Sequence, residues 1–304
     1  MKTLSKLVWS SKTLQMALEA SRRVGVRFAG KVVLVTGSSS GIGRAVAVRF
    51  AAEGAKVVIT GRSAEKVDET RKMCVAVGAR PADLLPTCGD LMDDAFLEVL
   101  VDSVIETFGH LNVLINNAGT LEVDTSGRTG WDQSPETMDR SFRSNFRSVL
   151  LLTQKAFPHL AQTRGDIVNI STFLSSGPIG VMSMPYYAVP KAALDQMSRS
   201  MAHEFMMRGG VRLNTVNPGL VSTSFFASLP GVGDESARKM EKYVQSNREY
   251  IPLGRVATAD DVAHTVLFLA DRKQSECIVG QSIVLDGGSR LCCSIDMSDY
   301  KEKM

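Results

Sequence analysis

The sequence predicts an α/β protein, a Rossmann-type doubly wound parallel sheet with helices on both faces, built as a single domain. Three observations predict it. Short continuous runs of β-branched and apolar residues recur along the chain, as expected of strands covered on both faces. Longer helical stretches separate them, and a glycine-rich turn joins the first run to the first helix. With 304 residues and 44% hydrophobic side chains, one large core is within reach.

The elements follow in order. Val32-Val33-Leu34-Val35 reads as a buried strand, Ile42 to Ala52 as a helix and Lys56-Val57-Val58-Ile59-Thr60 as a second strand, which completes a β-α-β unit. Helices are expected over 63–77 and 94–108, a strand at Asn112 to Ile115, a long helix over 136–160 and a strand at Asp166 to Ile170. A helix over 187–208, a strand at Val211 to Val216 and a last strand at Ser282 to Leu285 finish the pattern. The stretch 222–252, with Phe225, Phe226, Pro230, Gly231 and Gly233, breaks the alternation. Insertions of this kind after a strand's carboxyl end sit over the ligand crevice, so it reads as a substrate lid.

The domain proper spans 31–291, between an extension, 1–30, and a C-terminal tail, 292–304. The extension carries six basic residues and one acid, leaving the rest of the chain slightly acidic. An acidic body gives no electrostatic reason to expect nucleic acid as a partner. Leu4, Leu7, Leu14 and Leu18 fall on one helical face of the extension, with Lys2, Lys6, Lys12 and Arg23 largely on the other. That pattern suits a mitochondrial presequence, a membrane-contacting face or an ordinary surface helix. No apolar run approaches the roughly 20 residues of a membrane span. Five cysteines without paired spacing point to a reducing compartment, hence the cytoplasm, with the mitochondrion as the alternative. The four scattered histidines form no metal motif, so no metal is expected.

The turn Thr36-Gly37-Ser38-Ser39-Ser40-Gly41-Ile42-Gly43 has the chemistry of a dinucleotide cradle. Its glycines, Gly37, Gly41 and Gly43, allow a tight turn and close approach of the backbone to a diphosphate. Ser39, Ser40 and Ile42 bring unpaired helix N–H groups to the same place. At the end of the second strand, where a carboxylate would bond the ribose 2′-hydroxyl of NAD, the chain has Gly61-Arg62. A guanidinium there suits a 2′-phosphate, which favours NADP(H) over NAD(H) as cofactor. Tyr187 and Lys191 stand four residues apart, on one helical face. A free phenol titrates near pH 10, and a neighbouring ammonium favours its ionised form, as proton transfer beside a hydride-accepting carbonyl requires. Alone, that spacing is common surface chemistry; its company gives it weight.

Thr36 to Gly43, Asn116-Asn117-Ala118-Gly119, Asn145, Ser171-Thr172, Tyr187 with Lys191, and Asn217-Pro218-Gly219 followed by Thr223 together resemble the short-chain dehydrogenase/reductase family in its compact form. The match runs from about Lys31 to Leu291 and includes Pro252-Leu253-Gly254-Arg255 and Asp286-Gly287-Gly288. The resemblance implies an NADP(H)-dependent oxidoreductase interconverting a secondary alcohol and a ketone or other carbonyl. Tyr187 would be the general acid or base, Lys191 would lower its pKa and hold the nicotinamide ribose, and Asn145 would support a proton relay. Asn117, Ala118 and Gly119 would close the adenosine side, and Asp90 with Leu91 would contact adenine. Pro218, Gly219, Val221 and Thr223 would line the nicotinamide. It also implies a homodimer or homotetramer through the helices of Asn145 and Tyr187.

One position departs from the family. Its substrate-orienting serine usually precedes the tyrosine by thirteen residues, but position 174 is Leu. Aligning the strand puts Thr172 in that place, with Ser171, Ser175 and Ser176 as alternatives and a loop two residues longer. Phe225, Phe226, Leu229, Met182, Met184, Met206 and Met207 suggest a small apolar substrate, although methionines also fill cores and interfaces. The competing class is a dinucleotide-binding sensor or scaffold without turnover; the presence of Tyr187 and Lys191 argues against it. The extended relatives acting on nucleotide sugars have a different glycine spacing and need a larger C-terminal region.

Overall fold

The computed structural model describes residues 26–176, 184–225 and 233–292. Residues 1–25 of the 1–30 extension, the tail after 292, Met182, Phe226 and Leu229 lie outside these residues. Seven parallel strands form one sheet: β1 (Val32–Val35), β2 (Lys56–Gly61), β3 (Leu84–Cys88), β4 (Val113–Asn116), β5 (Asp166–Ile170), β6 (Arg212–Pro218) and β9 (Ser282–Leu285). Their order across the sheet is β3-β2-β1-β4-β5-β6-β9. The chain starts at the centre, winds outward to β3, returns to β4 beside β1 and winds outward again, so the carboxyl ends of β1 and β4 flank the reversal.

Each strand feeds two cores, because successive side chains point to opposite faces. Val33, Val35, Val57, Ile59 and Ile115 pack under α1 (Gly41–Ala52), α2 (Ala64–Ala76) and α8 (Ala259–Ala270). Val32, Leu34, Val58, Leu114 and Ile167 pack under α3 (Asp94–Phe108), α5 (Ser148–Thr163) and α6 (Pro185–Gly209). This double burial is why the strands read as unbroken apolar runs. Arg49 of α1 pairs with Asp260 of α8, with Nε 2.6 Å from Oδ1, where those two helices pack together.

Three expectations need correction. The strand β3 is absent from the predicted elements: its Leu-Leu-Pro-Thr-Cys segment holds Pro86, which lacks a ladder donor and is tolerated because β3 is an edge strand. The single helix expected over 136–160 is instead α4 (Pro135–Phe142), a five-residue π turn (Arg143–Arg147) and then α5. Within the stretch that reads as an irregular lid, α7 (Gly233–Ser246) is a regular helix. At its margins β7 (Val221–Ser222) pairs with β8 (Ala257–Thr258), and Val244, Tyr250, Ile251 and Val256 form a small core of their own.

At the end of the sheet opposite the crevice, Arg212 is fully buried. Its Nε donates to Asp166 Oδ1 at 2.7 Å, its Nη2 to Leu269 O at 2.7 Å, and its Nη1 to the Ser275 carbonyl. Arg272 reaches the same carboxylate at 3.3 Å and donates to Gly165 O and Gly210 O. Burial pushes the Asp166 carboxyl above its ordinary value, with the two guanidinium groups opposing. Asp166→Ala leaves Arg212 buried without its counter-charge and is expected to lower the unfolding free energy by about 3–5 kcal/mol. Urea unfolding followed by circular dichroism checks this, and a loss under about 1 kcal/mol would contradict it.

Candidate active site

A cavity of about 720 Å³ opens at the carboxyl ends of the strands, across the reversal between β1 and β4. Its size lies within the range of cofactor sites. At one end the loop from β1 to α1 supplies Gly37, Ser39, Ser40, Gly41 and Ile42 to the wall. Gly37 and Gly41 have φ of +63° and +52°, the left-handed region that glycine occupies without strain. Ser40 precedes the helix in extended conformation, makes no side-chain cap, and no acid stands in the first turn. The first N–H groups of α1 are therefore left for an incoming anion. Gly43 lies behind the loop, not on the cavity wall: a Cβ there would come within 2.4 Å of both Gly37 O and Asn117 Nδ2.

Asn117 is chiefly a brace. Its Nδ2 donates to Thr36 O at 2.9 Å and Gly37 O at 3.2 Å, while the Asn117 and Ala118 amides both donate to Thr36 Oγ1. Asn117, Ala118 and Gly119 also line the cavity, as do Asp90 and Leu91. Asp90 Oδ1 accepts from Met92 N at 2.9 Å, which shapes that loop.

Arg62 lines the cavity just past β2, and Lys66, which sequence reasoning missed, lines it one helical turn later. Neither side chain has an ion pair among the described residues. Arg44, the other nearby cation, is committed: its guanidinium bonds Thr70 Oγ1 at 3.0 Å and Glu69 Oε2 at 2.8 Å. The sequence signal for Lys66 is its place three residues into a helix capped by Ser63, the turn that begins beside Arg62.

The opposite end holds the polar catalytic candidates. Asn145, fully buried in the π turn, donates from Nδ2 to Thr120 O at 2.9 Å and accepts from Thr120 N at 3.0 Å. It sits behind Gly119 and does not itself line the cavity. Lys191 and Tyr187, one turn apart on α6, both line it. Lys191 Nζ donates to Ile170 O at 2.8 Å and lies 6.0 Å from the centroid of the Tyr187 ring. A Cβ on Gly119 would stand 2.9 Å from Asn145 Oδ1 and 3.1 Å from Lys191 Nζ, so these groups converge on that glycine. Burial pushes the Tyr187 phenol up to about 12. It pulls Lys191 down to about 8, with the Asp195 carboxylate acting the other way. The lowered phenol that the family resemblance implies is thus not a property of these residues alone.

Of the four hydroxyls weighed for the substrate oxygen, Thr172 and Ser171 line the cavity and Ser175 and Ser176 do not. Ser171 Oγ donates to Lys191 O at 3.3 Å, and among the described residues Thr172 Oγ1 only accepts, from Leu174 N at 3.4 Å, which leaves its proton uncommitted there. Ser176 Oγ accepts from Arg290. Pro218, Gly219, Val221 and Thr223 continue the wall, with Phe173, Leu174, Leu220, Met184 and Phe225 adding apolar surface. The Phe225 ring lies 6.0 Å from that of Tyr187. Met206 and Met207 are on the far part of α6, away from the cavity, and Met207 is exposed. Among the described residues no three His, Cys, Asp or Glu side chains gather to hold a metal ion, and no helix is long and apolar enough to cross a membrane.

The comparisons with known proteins agree with this fold. A family model described as enoyl-(acyl carrier protein) reductase matches residues 37–290. A 3-oxoacyl-[acyl-carrier-protein] reductase of Thermotoga maritima is 33% identical over 264 residues, 86% of this chain and 99% of the relative. A Caenorhabditis elegans short-chain dehydrogenase/reductase of unknown function, solved with cofactor, superposes with a TM-score of 0.85 at 39% identity, covering 88% of this chain and 97% of that one. A glucose dehydrogenase of the same organism, solved in its apo form, gives 0.73 at 41% identity, covering 87% and 99%. The chain belongs to the short-chain dehydrogenase/reductase family of oxidoreductases, which act on CH–OH groups.

Proposed function

We propose that this protein is an NADP(H)-dependent oxidoreductase interconverting a secondary alcohol and a ketone or other carbonyl by hydride transfer, with Tyr187 as general acid or base. The observation that carries the reading is the convergence of Lys191 and Asn145 about Gly119, with Tyr187 one helical turn before Lys191 on the same cavity wall, in the same crevice as the uncapped start of α1. The residues fit a dinucleotide: unpaired helix N–H groups and glycine backbone for its diphosphate, Arg62 and Lys66 for a 2′-phosphate, and no acid beside Arg62 to bond a bare ribose. Bound there, the nicotinamide supplies a hydride to the substrate carbon or accepts one from it.

The chain's own residues manage the proton. In reduction the Thr172 hydroxyl donates a hydrogen bond to the carbonyl oxygen, and the Tyr187 phenol transfers its proton to that oxygen as the carbon receives the hydride. The Lys191 ammonium stabilises the tyrosinate left behind. In oxidation the tyrosinate takes the hydroxyl proton and each step reverses. With its phenol pushed up to about 12, Tyr187 keeps its proton at neutral pH, which suits the reductive direction. Phe173, Leu174, Met184, Leu220 and Phe225 favour a small apolar substrate, and of the stretch 222–252 Thr223, Ser224 and Phe225 stand at its cavity.

NADPH consumption with a panel of ketones and quinones tests this reading. Tyr187→Phe is expected to lower kcat by about 10²–10⁴-fold while NADPH still binds, and equal turnover in both proteins would remove Tyr187 from the mechanism. For the wild type, kcat/KM for reduction is expected to stay level below about pH 8 and to fall above it, as Lys191 loses its proton. A rise through that range would reverse the assigned role. Arg62→Asp is expected to lower the NADPH/NADH ratio of kcat/KM roughly tenfold or more, since it removes a charge-assisted bond and adds a repelling carboxylate. An unchanged ratio would defeat the 2′-phosphate assignment.

A further inference from the structure

Behind the cavity wall is a buried carboxylate that the mechanism above does not use. Asp195 is 1% exposed. It stands four residues beyond Lys191 and eight beyond Tyr187 on α6, and so on the helix face that serves the site. Its Oδ2 accepts from Ser175 Oγ at 2.5 Å and from Asn217 Nδ2 at 2.6 Å. Asn217 Nδ2 also lies 3.1 Å from Thr172 O and 2.8 Å from Ser175 Oγ, and the Ser175 amide donates to Thr172 O at 3.1 Å. The polar protons of β6 and of the turn after β5 thus meet at two acceptors, the Asp195 carboxylate and the Thr172 carbonyl.

Burying a carboxylate costs several kcal/mol unless its partners compensate. Among the described residues its other oxygen, Oδ1, has no hydrogen-bond partner. The turn it supports is a three-residue 3-10 segment (Phe173–Ser175) with Thr172 as its extended first cap. So short a 3-10 segment is weak by itself and depends on outside partners. We propose that Asp195 is a positioning residue: through Ser175 and Asn217 its carboxylate sets the turn so that the Thr172 hydroxyl faces the cavity beside Tyr187. The inference rests on the reading of Thr172 as the substrate-orienting hydroxyl. It also accounts for Ser175, whose hydroxyl stands between Asp195 Oδ2 and the Thr172 carbonyl, 2.7 Å away, and is absent from the cavity wall. An acceptor at 195 serves both donors at once, whereas an amide there brings a competing N–H₂ and loses the charge that shortens both bonds.

The test uses the full chain with Asp195→Asn and, independently, Ser175→Ala, which removes the intermediary without touching the helix. Amide exchange by mass spectrometry and ketone reduction are measured together. Exchange over 172–176 is expected to quicken at least tenfold in both variants, with 36–43 unchanged. In the same proteins kcat is expected to fall about tenfold or more, the NADPH Kd to stay within twofold, and the double variant to be no worse than the poorer single one. Unchanged exchange at 172–176 would overturn the inference, as would faster exchange with unaltered kcat. A general loss of protection that includes 36–43 would make Asp195 a structural residue and overturn it equally. Were the wild type to reduce no carbonyl compound, the functional reading would fall, and the exchange comparison by itself would still decide whether Asp195 holds the turn.

Discussion

The tie between the carboxyl ends of β1 and β4 is the constraint on which the site depends. A sheet wound outward from its centre sends the chain in opposite directions from two neighbouring strands and leaves a crevice between them. Here the Thr36 hydroxyl accepts from the Asn117 and Ala118 amides and donates to Ile115 O, while Asn117 Nδ2 reaches back to Thr36 O and Gly37 O. These bonds hold two glycine-bearing segments at van der Waals contact without involving a reactive group. A glycine after each strand then makes room for a different neighbour. Gly43 admits the asparagine brace beneath the first helix, and Gly119 admits Asn145 and Lys191 behind the second segment.

Against that rigid frame, burial acts on Tyr187 and Lys191 in one direction. Both shifts favour the uncharged form, the phenol upward and the ammonium downward. At neutral pH Lys191 still carries its charge and Tyr187 does not, so a proton leaving the phenol creates a tyrosinate that interacts strongly with the ammonium in a crevice of low polarity. The Asp195 carboxylate, a turn along the same helix, limits the effect on Lys191. The cost of keeping polar groups inside the site is visible in buried oxygens on Asp195 and Asn217 that have no partner among the described residues.

Much of this is legible in the chain because doubly covered strands must be apolar at nearly every position. Val32 to Val35 and Asp166 to Ile170 are buried throughout, and each stands out from the segments around it. β3 escapes because it is an edge strand with alternating exposure and a proline, a pattern that local rules assign to a connection. The helix holding Asn145 is readable as a helix, but its wide turn is not, since no single residue type encodes a π turn. Asn145 Nδ2 bonds Ser141 O at 3.1 Å, a local competitor for the regular ladder that emerges only in three dimensions. Lys66 escapes because only the fold shows that the first turn of α2 overlooks the cavity. The choice among Ser171, Thr172, Ser175 and Ser176 needs side-chain directions, which sequence spacing does not carry.

The π turn has a bearing on how this site tolerates insertion and deletion. In a regular α-helix each residue added or removed rotates everything beyond it by about 100°, enough to turn an inward asparagine toward solvent. A turn with one residue to spare takes up that rotation locally, so the apolar stripe of α5 and the seat of α4 can both stay in register with the sheet. Excising one residue between 143 and 147 would therefore relax the helix to its ordinary pitch and misplace Asn145, while the flanking cores could still close. In this protein the irregular turn works as a phase adjuster between two packing surfaces, with the polar amide carried at its node.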